Sequence, residues 1–337
     1  MDRDMSFWEG KRVFVPGGAG GIGSYLCEFL VEVGADVVVL DDLSSGAEAN
    51  LSGIAGQIEF VRGDVRDRGL VDTLISGADV AMNLAGVAPG LYEEEGRHEL
   101  LYRKNLEIAD SVLDCSLRNG VERLLVVSSS CVYPDDAIVP TPELSIEEGE
   151  PEAANRGYGL AKREMEHRAI AAARKSHLKI AIARPFNVYS DRDLFGGKGG
   201  HVIPSLLERV LKEDGGPVEV WGSGKQTRSF IHAKDLVRGL LGLTEVHACG
   251  EAVNVGSSRE LRMSELVGLL VELCGVERGI FFDASKPEGA LRKGADTARL
   301  RQVLTGFREQ VDFREGLADV VAARRAGLAG ACLSSLG

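Results

Sequence analysis

Three hydroxyl residues and a thiol, Ser128-Ser129-Ser130-Cys131, follow the apolar run Leu124 to Val127, and a helical segment downstream carries Tyr158-Gly159-Leu160-Ala161-Lys162. A phenol with a pKa of about 10 is a poor base near neutrality unless cations lower it. Lys162 lies four residues beyond Tyr158, on the same helical face, where its ammonium can do so. Ser129 can hydrogen-bond the oxygen whose proton Tyr158 takes. Such a set oxidises or reduces one alcohol carbon. Cys131 adds a thiol, with an ordinary pKa of about 8.5 that nearby positive charge would lower. His201 titrates near neutrality and could serve as an acid or base, bind a diphosphate or cap a helix. The remaining histidines (98, 167, 177, 232 and 247) lack such context and are taken as structural or exposed.

Alternating strands and helices must position these groups. Leu124 to Val127 is short, β-branched and ended by small polar residues, as buried parallel strands are. Near the start of the chain, the strand Lys11 to Pro16 runs into Gly17-Gly18-Ala19-Gly20-Gly21-Ile22-Gly23-Ser24. A helix with Leu26, Phe29, Leu30 and Val33 follows, then a strand from Asp36 to Leu40 that ends in Asp41-Asp42. Strand, glycine turn, helix, strand and acid form a dinucleotide-binding unit. Gly17, Gly20, Gly21, Ile22 and Gly23 bring backbone N–H groups to a pyrophosphate at a helix N-terminus, where the helix dipole favours anions. Asp41, with Asp42 and Ser44 beyond it, is placed for the adenosine ribose. A carboxylate there repels a 2′-phosphate, so tightly held NAD is expected rather than NADP.

The alternation continues. Ile58 to Val61 ends in Gly63-Asp64-Val65, with Asp64 placed to accept from the adenine amino group. Asp79 to Leu84 ends in Leu84-Ala85-Gly86, small residues where backbone passes the cofactor. A helix from Arg97 to Asn119 carries Asn105, a Pro/Glu-rich loop spans 134–153, and Leu178 to Ala183 is the next strand. The class is α/β, a Rossmann-type doubly wound parallel sheet, assigned to residues 1–185 with a returning segment near 229–256. Residues 186–337 form a smaller, interleaved C-terminal α/β lobe for substrate. It contains a glycine loop at 196–200, a helix from His201 to Leu211, a strand at Val218 to Trp221, a basic loop from Lys286 to Lys293, and a loose tail from Leu328.

Bulk properties exclude several classes. A length of 337 residues suggests about two domains, and 44% hydrophobic with 27% charged residues is ordinary for a globular protein. The net charge of −12 argues against nucleic acid, which needs clustered Lys and Arg. No apolar run approaches the ~18 residues of a membrane span, and Met1 to Lys11 has no signal-peptide core. The six cysteines (27, 115, 131, 249, 274 and 332) include no Cys-x-x-Cys pair and no His at zinc-finger spacing. A reduced, cytoplasmic protein with no metal, membrane or nucleic-acid partner is expected.

With these motifs assembled, the chain resembles the extended short-chain dehydrogenase/reductase family, the NAD-dependent nucleotide-sugar epimerases, dehydratases and reductases. The likeness spans about residues 10–325 and rests on GGAGGIGS, DDLSSG, GDV, SSSCVYP, YGLAK, RPFNVY and WGSGKQTRSF. It implies Tyr158, Lys162 and Ser129 as catalytic, with Ser128, Asn105, Val65, Leu84, Ala85 and Gly86 at the cofactor. The substrate, a nucleoside-diphosphate sugar, would be met by Val87, Ser130, Asn187, Val202, Trp221, Lys225 and Gln226. Arg228 and Arg292 would clamp its diphosphate bidentately. Within the family, Ser-x-Cys-Val-Tyr-Pro is similar to the GDP-mannose 3,5-epimerases and the GDP-L-fucose synthases, and His201-Val202-Ile203-Pro204 resembles the run that carries a second epimerisation residue in the synthases. By this resemblance Cys131 and His201 form an acid/base pair inverting carbons beside a transient 4-ketone. Asp41 conflicts with the synthases, whose reduction draws on NADPH. Pro16 and Ser190 also depart from the family pattern, where Thr and Gly are usual.

The expectation is therefore an NAD-dependent epimerase, an isomerase acting at carbons 3 and/or 5 of a GDP-sugar. The alternatives are a 3,5-epimerase/4-reductase or 4-ketoreductase, a UDP-hexose 4-epimerase, and a catalytically silent nucleotide-binding regulator. A homodimer is implied through the helices that carry Asn105 and Tyr158.

Overall fold

A computed structural model describes residues 6–88, 97–193, 195, 201–212, 215–286 and 289–334. The glycine loop expected at 196–200 and part of the basic loop, residues 287–288, lie outside them. The first half alternates β1 (Arg12–Pro16), α1 (Gly23–Glu32), β2 (Asp36–Asp41), β3 (Ile58–Arg62), α2 (Arg68–Ile75), β4 (Val80–Asn83), α3 (Arg97–Arg118), β5 (Arg123–Val127), α4 (Arg156–Lys175) and β6 (Lys179–Pro185). Then follow β7 (Val188–Tyr189), α5 (Val202–Leu211), β8 (Val218–Trp221), β9 (Thr227–Ser229), β10 (Ile231–His232), α6 (Ala233–Val246), β11 (Ala252–Val255) and β12 (Glu260–Arg262). The chain ends with α7 (Met263–Leu273), β13 (Ile280–Asp283), β14 (Arg292–Lys293), α8 (Ala298–Val303) and α9 (Phe313–Ser334).

Seven strands form one sheet in the order β11-β6-β5-β4-β1-β2-β3, every pair parallel. Its central strands are apolar at almost every position because helices cover both faces; β2 is buried from Val37 to Asp41 and β4 along its whole length. One face packs Val13, Val15, Val37 and Val39 on α1 and α6, the other Phe14, Val38, Leu124 and Ile180 on α2, α3 and α4. Each such side chain contributes about 1.5–3 kcal/mol by leaving water. Chain order reverses between β1 and β4, and in open α/β sheets that switch point opens a crevice at the carboxyl ends of the strands.

Beyond β6 a third core, including Leu206, Leu207, Leu266, Leu270 and Val320, gathers α5, α7 and α9. A three-stranded sheet, β12-β9-β14, lies alongside. Where the sequence suggests a loose tail from Leu328, α9 runs on to Ser334. Leu317, Val320 and Val321 are buried, and this packed first half carries the helix past the end of its apolar face.

Candidate active site

The cofactor cleft is built by close backbone approach. Gly17 has φ +79°, and a Cβ there would stand 2.5 Å from the Ala85 nitrogen; no side chain fits. A Cβ on Gly23 would stand 2.1 Å from the Gly17 carbonyl oxygen, so α1 can start against the turn only at a glycine. At Gly20 the nearest such contact is 3.4 Å, so its face is open to the cleft. That space, about 320 Å³, is lined by Gly17, Gly20, Asp41, Asp64, Ala85 and Val87 among others. The cradle fits a dinucleotide.

Asp41 is buried and its oxygens are used by backbone: Oδ2 accepts from Ala19 N at 2.9 Å and Oδ1 from Leu43 N at 2.8 Å. It therefore fixes the glycine turn as well as lining the cleft, and burial raises its pKa despite those bonds. Asp42 Oδ1 accepts from Ser44 N. Asp64, expected at the adenine, is already gripped by the Arg66 guanidinium, which holds its carboxyl below the usual range. Val65 is buried at the same wall. Asn105 reaches up from α3 to the loop after β4, accepting from Val87 N at 3.0 Å and donating to Val87 O at 3.1 Å. It positions Leu84-Ala85-Gly86-Val87.

The residues expected to be catalytic cluster where β5 meets α4. Ser129 caps a short 3-10 turn by accepting from Cys131 N at 3.1 Å. A Cβ on Gly159 would stand 2.4 Å from the Cys131 carbonyl oxygen, so this glycine lets the first turn of α4 lie against the thiol's backbone. Tyr158 is thereby brought to Ser129 and Cys131. Burial pushes the phenol's pKa up, Cys131 pushes it further, and the Ser129 hydrogen bond draws it back. Lys162 Nζ lies 5.4 Å from the Tyr158 ring centroid and donates to Val127 O at 2.7 Å. Burial lowers the ammonium to about 8, against opposing pulls from Glu166 and Cys131. The expected lowering of the phenol is thus not built into the chain alone; desolvation wins at both groups.

Cys131 also departs from expectation. Its pKa is raised to about 11, burial first, with Lys293 lowering it and Glu152 raising it. The thiol keeps its proton near neutrality. Glu152 and Lys293, neither of them assigned a role by the sequence reading, form a salt bridge at 3.0 Å beside it. The Lys293 ammonium outweighs the other influences of its neighbours on Glu152 except burial, and with the Cys131 hydrogen bond leaves that carboxyl below its usual range. Lys293 arrives because β14 pairs with β9 in parallel, placing Lys293 opposite Arg228. No local pattern announces that pairing.

Other expected residues take varied positions. Ser128 turns its hydroxyl to donate to Glu166, which is fully buried and holds Arg184 at 2.7 Å; Arg184 continues to the Tyr133 hydroxyl and Tyr133 to Asn254. This network fastens α4, β5, β6 and β11 behind the site. Ser130 lies buried on a small cavity with Glu152, Phe186, Arg292 and Lys293. Asn187, at φ +35°, donates to Ser229 O. Arg292 is engaged by both oxygens of Glu260 and by Val139 O. Gln226 is buried, Lys225 N donates to Ser223 Oγ, and Trp221 is 47% exposed under the Arg209 guanidinium.

His201 stands at the N-cap position of α5 without a side-chain capping bond, ahead of the exposed Val202, and its Nδ1 lies 3.0 Å from either oxygen of Asp193, whose carboxylate raises its pKa. Asp193 follows a segment laid over the glycine turn: Ser190 Oγ donates to Gly21 O at 3.2 Å, and Arg192 reaches Ser24 and Glu28. His201 is thus tied to that cover through Asp193, and not to the Cys131 cluster, among the described residues.

Comparison with known proteins places this geometry. A sequence model of the NAD dependent epimerase/dehydratase family matches residues 13–256. The chain is 32% identical to a putative GDP-L-fucose synthase 2 from Oryza sativa subsp. japonica, covering 92% of this chain and 85% of that protein. It is 30% identical to a GDP-L-fucose synthase from Sinorhizobium fredii, covering 93% and 95%. A crystal structure of a UDP-glucose 4-epimerase from Thermotoga maritima, with UDP-glucose, superposes with a TM-score of 0.82 at 27% identity over 94% and 99% of the two chains. These matches show that the protein is an enzyme that belongs to the NAD dependent epimerase/dehydratase family.

Proposed function

We propose that the protein is an NAD-dependent epimerase of a nucleoside-diphosphate hexose, a GDP-sugar in first place, inverting the carbons that flank a transient 4-ketone. The observation that carries this reading is Cys131, a protonated thiol set in the same buried cluster as Ser129 and Tyr158. When bound, the nicotinamide supplies the hydride acceptor, a positive charge near the phenol and, once reduced, the returning hydride. Ser129 orients the sugar's 4-oxygen and Tyr158 holds or receives its proton, with Lys162 fixed behind it by Val127 O. The ketone acidifies the neighbouring C–H bonds. His201, its imidazole made more basic by Asp193, removes a proton from one face, and Cys131 delivers one to the other. Arg228 and Arg292, on neighbouring strands, hold the diphosphate.

The dinucleotide is assigned to residues 1–185 with the returning segment 229–256, and the sugar to residues 186–337. Asp41, Asp42 and Asp64 at the adenosine end support NAD over NADP. We assign the enzyme to the cytoplasm as a homodimer joined through α3 and α4. A second reading, a 3,5-epimerase/4-reductase, is favoured by the GDP-L-fucose synthases among the similar proteins.

The test incubates the protein with GDP-, UDP- and dTDP-hexoses and their 4-keto-6-deoxy forms in deuterated water. Deuterium at carbon 3 or 5 without consumption of cofactor is the expected result. Stoichiometric consumption of NADH or NADPH selects the second reading. Inversion at carbon 4 alone, with no solvent label, refutes both.

A further inference from the structure

The turn between α6 and β11 brings together three side chains that the sugar chemistry does not use: His247, Cys249 and Glu251. Cys249 Sγ lies 3.6 Å from His247 Nε2, and Glu251 Oε2 lies 3.7 Å from the same nitrogen. One donor atom from each residue falls within 4.8 Å of the other two. A tetrahedral zinc ion, with bonds of about 2.3 Å to sulfur and about 2.0–2.1 Å to nitrogen and oxygen, sets sulfur and nitrogen ligands about 3.6 Å apart and nitrogen and oxygen about 3.4 Å apart. The sulfur–nitrogen and nitrogen–oxygen separations at His247 are already close to those of that tetrahedron. We propose that His247, Cys249 and Glu251 bind a borderline-soft divalent cation, zinc foremost, with solvent as the fourth ligand.

The backbone holds this arrangement at both ends. His247 N donates to Leu243 O at 2.8 Å, closing α6, and Gly250 N donates to Ile180 O at 2.8 Å, tying the turn to β6. Gly250 takes φ +81°, and a Cβ there would come within 3.2 Å of the Ala173 Cβ; the bend between Cys249 and Glu251 needs glycine. A thiolate and a carboxylate balance the charge of a dication. Arg299, the cation acting on His247, donates to Ala252 O.

The site has a definite place. Ala252 opens β11, so the cation would sit at the amino ends of the strands, on the edge of the sheet opposite the cofactor cleft. It is a structural clip between α6 and β11. Spacing by twos in a turn belongs to no zinc-finger pattern, which is why the sequence reading expects no metal.

Cobalt is the probe. Full-length protein stripped with chelator is titrated with Co2+ and then with Zn2+. One Co2+ per chain with a thiolate-to-cobalt charge-transfer absorption, displaced by zinc, is expected. The absorption should vanish in Cys249→Ser and persist in Cys332→Ser, and zinc affinity should fall at least about tenfold in His247→Ala. Both cysteine variants should retain full turnover of nucleotide sugar. No charge-transfer absorption at stoichiometric Co2+, or one that survives Cys249→Ser, overturns the proposal.

Discussion

Lys162 offers a quantitative test because its burial predicts opposite effects on stability and on chemistry. Its ammonium is lowered from 10.5 to about 8, chiefly by desolvation. Between those values the unfolded chain binds a proton that the folded chain does not, so stability rises with pH across the window. A shift of one unit corresponds to about 1.4 kcal/mol. The group therefore costs about 3 kcal/mol at about pH 7, falling to about 1 kcal/mol at about pH 10. Lys162→Met removes that charge but also leaves Val127 O without its donor, so the absolute change in stability is not diagnostic. The pH dependence of the difference is. Urea unfolding of cofactor-free wild type and Lys162→Met between those pH values should yield a gap that moves by about 2 kcal/mol toward the wild type as pH rises. The same variant should lose at least about a hundredfold in the rate of 4-oxidation, as expected for a lost partner in proton transfer. A gap constant with pH would refute the buried ammonium, and with it the claim that the chain stores a charge for Tyr158.

The thiol should behave as its surroundings dictate. Alkylation of Cys131 by iodoacetamide, followed by peptide mass analysis, should titrate near 11; Lys293→Met should move the midpoint up and Glu152→Gln should move it down. Glu166→Gln leaves Arg184 buried without its counter-ion and should cost about 3 kcal/mol by chemical denaturation. Asp41→Ala should narrow the preference for NAD over NADP in binding titrations and lower affinity for both, because Ala19 N and Leu43 N lose their acceptor.

Much of this was legible because its physics is local. A glycine turn between two strands declares itself through backbone approach, as the 2.5 Å and 2.1 Å distances at Gly17 and Gly23 confirm. Tyr158 and Lys162 share a helical face by spacing alone. What was not legible depends on partners far along the chain. Glu152 and Lys293 meet across 141 residues because β14 lies on β9. The raised thiol pKa follows from how deeply α4 presses at Gly159, a fact of packing. Ser128 reads as a cofactor hydroxyl, yet a buried carboxylate behind the sheet claims it. α9 outruns the weak signal of its own sequence because its first turns are packed.

The pairing of β14 with β9 has a consequence for the order in which the enzyme becomes competent. The residues that line the expected dinucleotide cleft end at Ile108, and the proposed catalytic trio of Ser129, Tyr158 and Lys162 ends at Lys162. The cation beside Cys131 belongs to residue 293. During synthesis the residues lining the expected cofactor cleft thus emerge long before the cation that tunes the thiol. A chain ending before β14 would strand Glu152 without that counter-charge, turning a truncation remote in sequence into a lesion beside Cys131.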